Sequence, residues 1–460
     1  CCTGLRIARF RPRTAQPDLK PVQTEVSAGA RLTLFTAWLP AFLTLAVVGC
    51  YLGFLYKHAI NVPFADDIFD VVNVVSSAVA ADDRGSAIQV RLAQHNDHRT
   101  LASRLVYLAS YGVVGELDFR VLTFLANLAL PLLLLFFYLL VRRNTARYLI
   151  MLPVALILFQ LRGYGIMLWS MAAFAYFYVF LYGCYSLYFL HNVSPVRFLL
   201  AVLLAILATF TLASGQLIWL LGFASLLYQV VVRKSASFGY LIVWSMLAFL
   251  AWQLWRTGLA TPNTPLAMLE RILADPGYYL LYTLTLMGNA VTEQSVPLAA
   301  ITGGAMLVTF MTLLMLRPTG DNDLRLELCC GYVVLSIIAM TMGRAPYSTV
   351  EYALSSRYSF PSTLLLAGLW ALIALRQNKR QASTSAIAIL LACLYSLDSY
   401  RQYAEPLQHH LEKRVDNFNR GRYWSWPRPI GETNAIVNKA IAQGIYSPPE
   451  RPLPQPSVTP

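Results

Sequence analysis

The sequence predicts an all-α, polytopic membrane protein, and three observations carry that prediction. Of its 460 residues 57% are hydrophobic and only 13% charged, a balance too apolar for a water-soluble globule. Apolar runs recur along the chain at lengths that cross a ~30 Å hydrocarbon core when helical. The formal charge of +13 is spread over short basic clusters between those runs, as loops that orient spans require. The same scatter argues against a nucleic-acid surface. Of the seven cysteines, Cys50, Cys184 and Cys393 fall inside apolar runs and Cys329-Cys330 open another, so no disulfide framework or CxxC metal site is present in the pattern. No lipid anchor is read from Cys1-Cys2, and with no Met before Met151 the first residue is not expected to be the translational start.

Residues 1–31 form a basic arm, with Arg6, Arg9, Arg11, Arg13, Lys20 and Arg31 against Asp18 and Glu25, and the positive-inside rule makes it cytoplasmic. Residues 32–398 are expected to be the transmembrane domain. Its first run, 32–56, delivers a polar loop, 57–118, to the outer face. That loop opens with Pro63-Phe64-Ala65-Asp66-Asp67-Ile68-Phe69-Asp70 and later carries His95-Asn96-Asp97-His98-Arg99. A helix begun near Pro63 places Asp66 and Asp70 on one face at i, i+4, with Asp67 beside them. Leu101 to Val114, interrupted by Arg104 and Tyr107, reads as an amphipathic helix in the interface. The loop is thus expected to hold two surface helices.

Further spans are expected near 119–141, 147–160, 166–190, 198–213, 216–232, 239–255, 296–316, 327–342, 359–376 and 382–398. Threading them puts Arg142-Arg143, Arg233-Lys234 and the basic break 376–380 on the N-terminal side, which gives about eleven spans with the N-terminus in and the C-terminus out. The runs 147–160 and 198–213 are short, and 278–290 is placed half-inserted. Residues 399–460, with Trp424, Trp426 and a Pro-rich end from Pro448, form an outer tail expected to be a lid or cap followed by disorder. No internal repeat is detected.

The expected spans hold almost no Asp, Glu, Lys or Arg, whereas proton- and ion-coupled transporters keep ionisable groups near the midplane. Charges gather instead in outer loops, including 343–358 with Arg344, Glu351, Arg357 and Tyr358. Such a site suits a reaction on a lipid-borne phosphate: a carboxylate takes a proton from a hydroxyl, arginines hold the phosphate, and tyrosines with Trp169 stack on sugar rings.

One long helix, an outer loop bearing an acidic pair just after it, surface helices and then many spans resemble the GT-C superfamily of membrane glycosyltransferases. More narrowly, Asp66-Asp67, the 95–99 string, Gly343-Arg344, and Ser356-Arg357-Tyr358 opening a span resemble a group of bacterial inner-membrane proteins assigned to that superfamily. Asp97 stands where that group carries Glu. The resemblance covers most of residues 30–400. It implies an inverting enzyme that moves one sugar from a polyprenyl-phosphate donor to a periplasmic acceptor: a glycan, lipid A, or a surface protein such as pilin. Asp66 or Asp67, with Asp67 the first choice, would be the base. Arg344, Arg357 and Arg99 would hold the donor phosphate, and His95, Asn96, Asp97, His98, Tyr358 and Glu351 would bind substrate.

Other readings of these residues stay open at this point. No cofactor is expected. A divalent cation on His95 and His98, with Asp97 or Asp83, lacks a third ligand of diagnostic spacing, so a hydrogen-bonded helix terminus is the simpler reading. Arg99 and Arg104 can snorkel to headgroups, and Glu351 can serve as structural partner to the arginines. Arg162-Gly163-Tyr164-Gly165 reads as a tight turn, and Gly215-Gln216 as a helix end. Asn192-Val193-Ser194 lies on the inner side, where glycosylation is not expected. Two rival functions remain, a lipid-linked glycan flippase and an O-antigen polymerase or ligase.

Overall fold

A computed structural model describes residues 28–95, 98–259, 265–316, 318, 320–377, 381–425 and 428–457. In chain order its α-helices are α1 (Ala28–His58), α2 (Asn73–Val79), α3 (Arg84–Leu92), α4 (Leu101–Val114), α5 (Phe119–Asn127), α6 (Ala129–Val141), α7 (Arg147–Leu158), α8 (Tyr164–Met167), α9 (Ser170–Leu190) and α10 (Pro195–Thr209), then α11 (Leu217–Val231), α12 (Phe238–Arg256), α13 (Pro265–Ala274), α14 (Pro276–Gly288), α15 (Val296–Met315), α16 (Asp321–Arg344), α17 (Ser359–Arg376), α18 (Gln381–Asn419) and α19 (Ile430–Ala442). Among the described residues no strand forms beyond an isolated His95–His98 bridge. Among the described residues ten helices or helix pairs are long and apolar enough to cross a membrane, and the protein is a multi-pass, all-α membrane protein. The remaining expected span, 198–213, is the 15-residue α10, roughly 22 Å long.

The break between α5 and α6 has a local cause. Pro131, in the first turn of α6, lacks the amide that Asn127 would receive, so α5 and α6 part at Leu128. Asn127 is buried there. Its side chain donates to Thr123 O and Met167 O at 2.8 Å each and accepts from Tyr51 Oη at 2.7 Å, tying α1, α5 and α8 together. The stretch expected to be half-inserted is α14, which runs antiparallel to α15 at backbone contact; a Cβ on Gly288 would overlap Ala299 O and one on Gly303 would overlap Leu284 O.

Three features depart from expectation. The first loop carries a π-helical turn, Asp67–Val72, followed by α2, α3 and α4, where two surface helices were expected. The span expected from 327 begins at Asp321, because Arg376 takes both Asp323 and Glu327 as partners and makes that charged first turn buriable. The tail is ordered structure. α18 runs 39 residues, roughly 58 Å, so it continues far past a bilayer's thickness. Ile387, Leu390, Leu391, Leu394 and Leu397 are exposed along its first half, and Tyr403, Leu407, Leu411 and Val415 are buried along its second. That four-residue stripe holds the cap. Beyond Pro448, where disorder was expected, Asn419 Oδ1 accepts from Leu453 N at 2.8 Å and Arg451 stacks on Phe418 at 4.4 Å.

Candidate active site

The acidic segment is held in a turn that its own sequence makes tight. Ala65 adopts a left-handed φ of 50°, an unfavourable conformation for a residue with a Cβ, and its amide donates to Trp424 O at 3.2 Å. The chain then enters the π-helical turn, whose larger number of residues per turn leaves the three carboxylates in different surroundings.

Asp67 faces inward and is fully buried. Its Oδ1 accepts from Ser170 Oγ and Met171 N, both at 2.9 Å, at the N-terminus of α9, where the helix dipole favours an anion. Its Oδ2 accepts from Phe64 N at 3.1 Å. Burial nevertheless pushes its pKa up to about 6, against the opposing pull of Arg414 and these hydrogen bonds. Asp67 is therefore a joint between the loop and α9.

Asp70, also fully buried, accepts from Thr100 Oγ1 at 2.9 Å and from Arg104 Nε and Nη2 at 2.9 and 2.5 Å. Arg104 does not snorkel; its Nη1 donates to Ala93 O at 2.6 Å and Arg91 O at 3.0 Å, closing the end of α3.

Asp66 is the carboxylate that reaches open space. Its side chain is 32% exposed, and its Oδ2 lies 3.6 Å from His95 Nε2, while His95 Nδ1 lies 3.6 Å from Asp70 Oδ1. Asp66 and Asp70 do share a face, and His95 bridges them. Burial pulls the His95 pKa down, but its hydrogen bond to Asp66 and the charges of Asp70 and Asp66 outweigh that, so the imidazole holds its proton more tightly than usual. His95 and His98 exchange backbone hydrogen bonds of 2.9 Å in both directions. Asn96 and Asp97 lie outside the described residues. Among the described residues no three His, Cys, Asp or Glu side chains converge as a metal site.

Two cavities meet at Asp66. The first, ≈ 490 Å³, is lined by Asp66, Trp169, Tyr352, Arg357, Lys413 and Trp424 among others. Arg357 stacks on Tyr352 at 4.9 Å and on the buried Tyr358 at 5.0 Å, and its Nε has no hydrogen-bond partner among the described residues. A guanidinium held by its faces with a donor to spare is prepared for an anion. The second cavity, ≈ 440 Å³, is lined by Asp66, Asn73, Ser77, His95, Arg104 and Arg428 among others.

Several site residues expected from sequence stand elsewhere. Arg344 lies 5.9 Å from the Tyr358 ring and lines a neighbouring cavity with Tyr347, Ser348 and Thr349, which shares Tyr352 with the first. Arg99 donates to the carbonyls of Leu92, Trp255 and Thr257, so its guanidinium serves the ends of α3 and α12. Glu351 is exposed and accepts from Thr349. Gly165 allows close approach more than a turn: a Cβ there would overlap Ser356 Oγ and come within 3.3 Å of Arg357 N.

Sequence reasoning did not find the tail's contribution. His410, Lys413, Arg414, Arg422 and Trp424 line the first cavity, and Arg428 lines the second. Arg414 donates to Leu168 O at 2.8 Å and to Val62 O, fastening α18 to both ends of the acidic loop's seat. The i, i+4 apolar stripe from Tyr403 was the available signal that the helix continues past the last span. Arg162 was missed as well. Fully buried, it donates to Glu293 Oε2 at 2.9 Å, Leu354 O at 2.8 Å and Asn289 O at 2.9 Å, and lies 5.0 Å over Tyr403.

No known protein family, curated protein or solved structure matches this chain.

Proposed function

We propose that this protein is a bacterial inner-membrane glycosyltransferase that moves a single sugar from a polyprenyl-phosphate donor to a cell-envelope acceptor, a glycan, lipid A or surface protein, at the periplasmic face. The observation that carries the proposal is the position of Asp66, an accessible carboxylate in the wall common to two polar cavities. One of them offers Arg357, Lys413 and Arg422 together with aromatic rings, a lining suited to a sugar phosphate. In this reading Asp66, in place of Asp67, takes the proton of the acceptor hydroxyl. The hydroxyl oxygen attacks the anomeric carbon, the bond from that carbon to the phosphate oxygen breaks, and the electron pair leaves with the polyprenyl phosphate. Arg357 stabilises the departing charge, and inversion follows from the single displacement.

The test compares lipid-linked sugar pools and surface glycan in cells carrying the wild-type chain, Asp66→Asn, or no copy. The expected result is that Asp66→Asn reaches the membrane at wild-type level, accumulates donor as the null does, and loses one sugar from the surface. Wild-type behaviour of Asp66→Asn, with donor trapped on the cytoplasmic side in the null, would overturn the proposal in favour of a flippase.

A further inference from the structure

A further polar cavity lies at the opposite end of the bundle. α9 presents Ser170 to Asp67 at its first residue and Tyr188 near its last, and its 21 residues separate the two sites by roughly 30 Å. Around Tyr188 opens a cavity of ≈ 530 Å³ lined by Arg142, Arg143, Arg197 and Arg325, with Leu139 and Leu375 also in its walls.

The carboxylates in that lining are already committed. Asp321 accepts from Arg233 Nη1 at 2.7 Å and from Asn192 Nδ2 at 2.9 Å, and Asp323 accepts from Arg376 Nε at 3.0 Å. Their negative charge is thus shared with arginines outside the cavity. Arg197 is held in place by Tyr188 O at 3.1 Å and Phe189 O at 3.3 Å, at the C-terminal end of α9.

Arg325 is the informative group. It is only 8% exposed, its guanidinium lies 4.8 Å over the Tyr188 ring, and its Nη1 donates to Asn322 Oδ1 at 2.7 Å. Its Nε has no hydrogen-bond partner among the described residues. Arg197 and Arg143 repel it, and Asp321, whose oxygens are already engaged by Arg233 and Asn192, offsets that repulsion in part. A buried guanidinium with a spare donor, crowded by like charges, is costly until an anion completes it.

We infer that this cavity binds the phosphate headgroup of an acidic membrane lipid, at a site separate from Asp66. Phosphate matches the arginine fork, and a basic pocket between spanning helices is where such a headgroup docks. The leucines in the wall and the setting among spanning helices favour a lipid over free phosphate.

The full-length protein in mild detergent is titrated with phosphatidylglycerol, phosphatidylcholine and inorganic phosphate, and retained ligand is counted by native mass spectrometry. One phosphatidylglycerol per chain is expected, held about tenfold more tightly than phosphatidylcholine and not displaced by millimolar phosphate. Arg325→Gln should weaken it by about tenfold, and Arg143→Gln, an exposed position that leaves the fold untouched, by about fivefold. Equal retention of the two lipids, displacement by inorganic phosphate, or wild-type affinity in both variants would each overturn the inference.

Discussion

His95 lies 3.6 Å from Asp66 on one side, while Asp70, Thr100 and Arg104 hold the imidazole's surroundings from the other. A protonated imidazole 3.6 Å from Asp66 places a positive charge beside the carboxylate proposed as the base. The sign of the pH dependence follows. Because the folded protein raises the pKa of His95 above 6.5, the stabilising cation is fully present below that value and is lost as pH rises through the raised one. Donor turnover in isolated wild-type membranes should therefore fall along an alkaline limb that starts above pH 6.5. His95→Gln, which keeps a polar group without a titrating proton, should lower turnover at neutral pH and remove that limb. An unchanged pH profile in His95→Gln would show that another group governs the base. Asp67, by contrast, has both oxygens engaged, accepting from Ser170, Met171 and Phe64.

At the scale of elements, the spans were legible because hydrophobic length and basic breaks report directly on crossing a bilayer. α5–α6, α9, α11, α12, α15 and α17 fall within a few residues of the runs read from sequence. The Asp66–Asp70 face was legible too, since i, i+4 spacing survives the local π-helical turn. What was not legible depends on partners far along the chain. Nothing near Asp321 announces that Arg376 will neutralise Asp323 and Glu327, and nothing near Arg99 announces that carbonyls of α12 will take up its donors. Gly163 and Gly165 look alike in sequence and differ in space. A Cβ at Gly163 would meet its nearest neighbours at 3.9 Å, whereas one at Gly165 would meet Ser356 and the Arg357 backbone. Gly163→Ala should leave donor turnover unchanged. Gly165→Ala should lower it slightly as Ser356 rotates away, and Gly165→Val should lower it about tenfold or more by displacing Arg357. Turnover at wild-type level in Gly165→Val would remove Arg357's position from the mechanism.

At the scale of the whole molecule, one end of the bundle is assembled from segments far apart in sequence, and Arg162 is where they converge. It joins the turn after α7 to the 289–293 segment, to Leu354 near Arg357, and to Tyr403 on α18. Burial raises the pKa of Glu293 even with Arg162 beside it, so the pair is expensive to desolvate and more expensive to break. Arg162→Met removes the donors and leaves Glu293, Asn289 O and Leu354 O without them, a loss of about 3–5 kcal/mol. Glu293→Gln keeps an acceptor oxygen but leaves the buried Arg162 cation without its counter-ion, and should cost about 3 kcal/mol. The double variant no longer buries an unpaired carboxylate, so it should recover about 1–3 kcal/mol relative to the sum of the single changes. Denaturant or thermal unfolding of the detergent-solubilised protein measures all three. Donor turnover should nevertheless stay low in the double variant, because the neutral pair restores folding without returning the hydrogen bond to Leu354 that orders the segment carrying Arg357. Strict additivity would mean that Arg162 acts through packing on Tyr403 alone, and full recovery of turnover would mean that the Arg357 segment is held by other contacts.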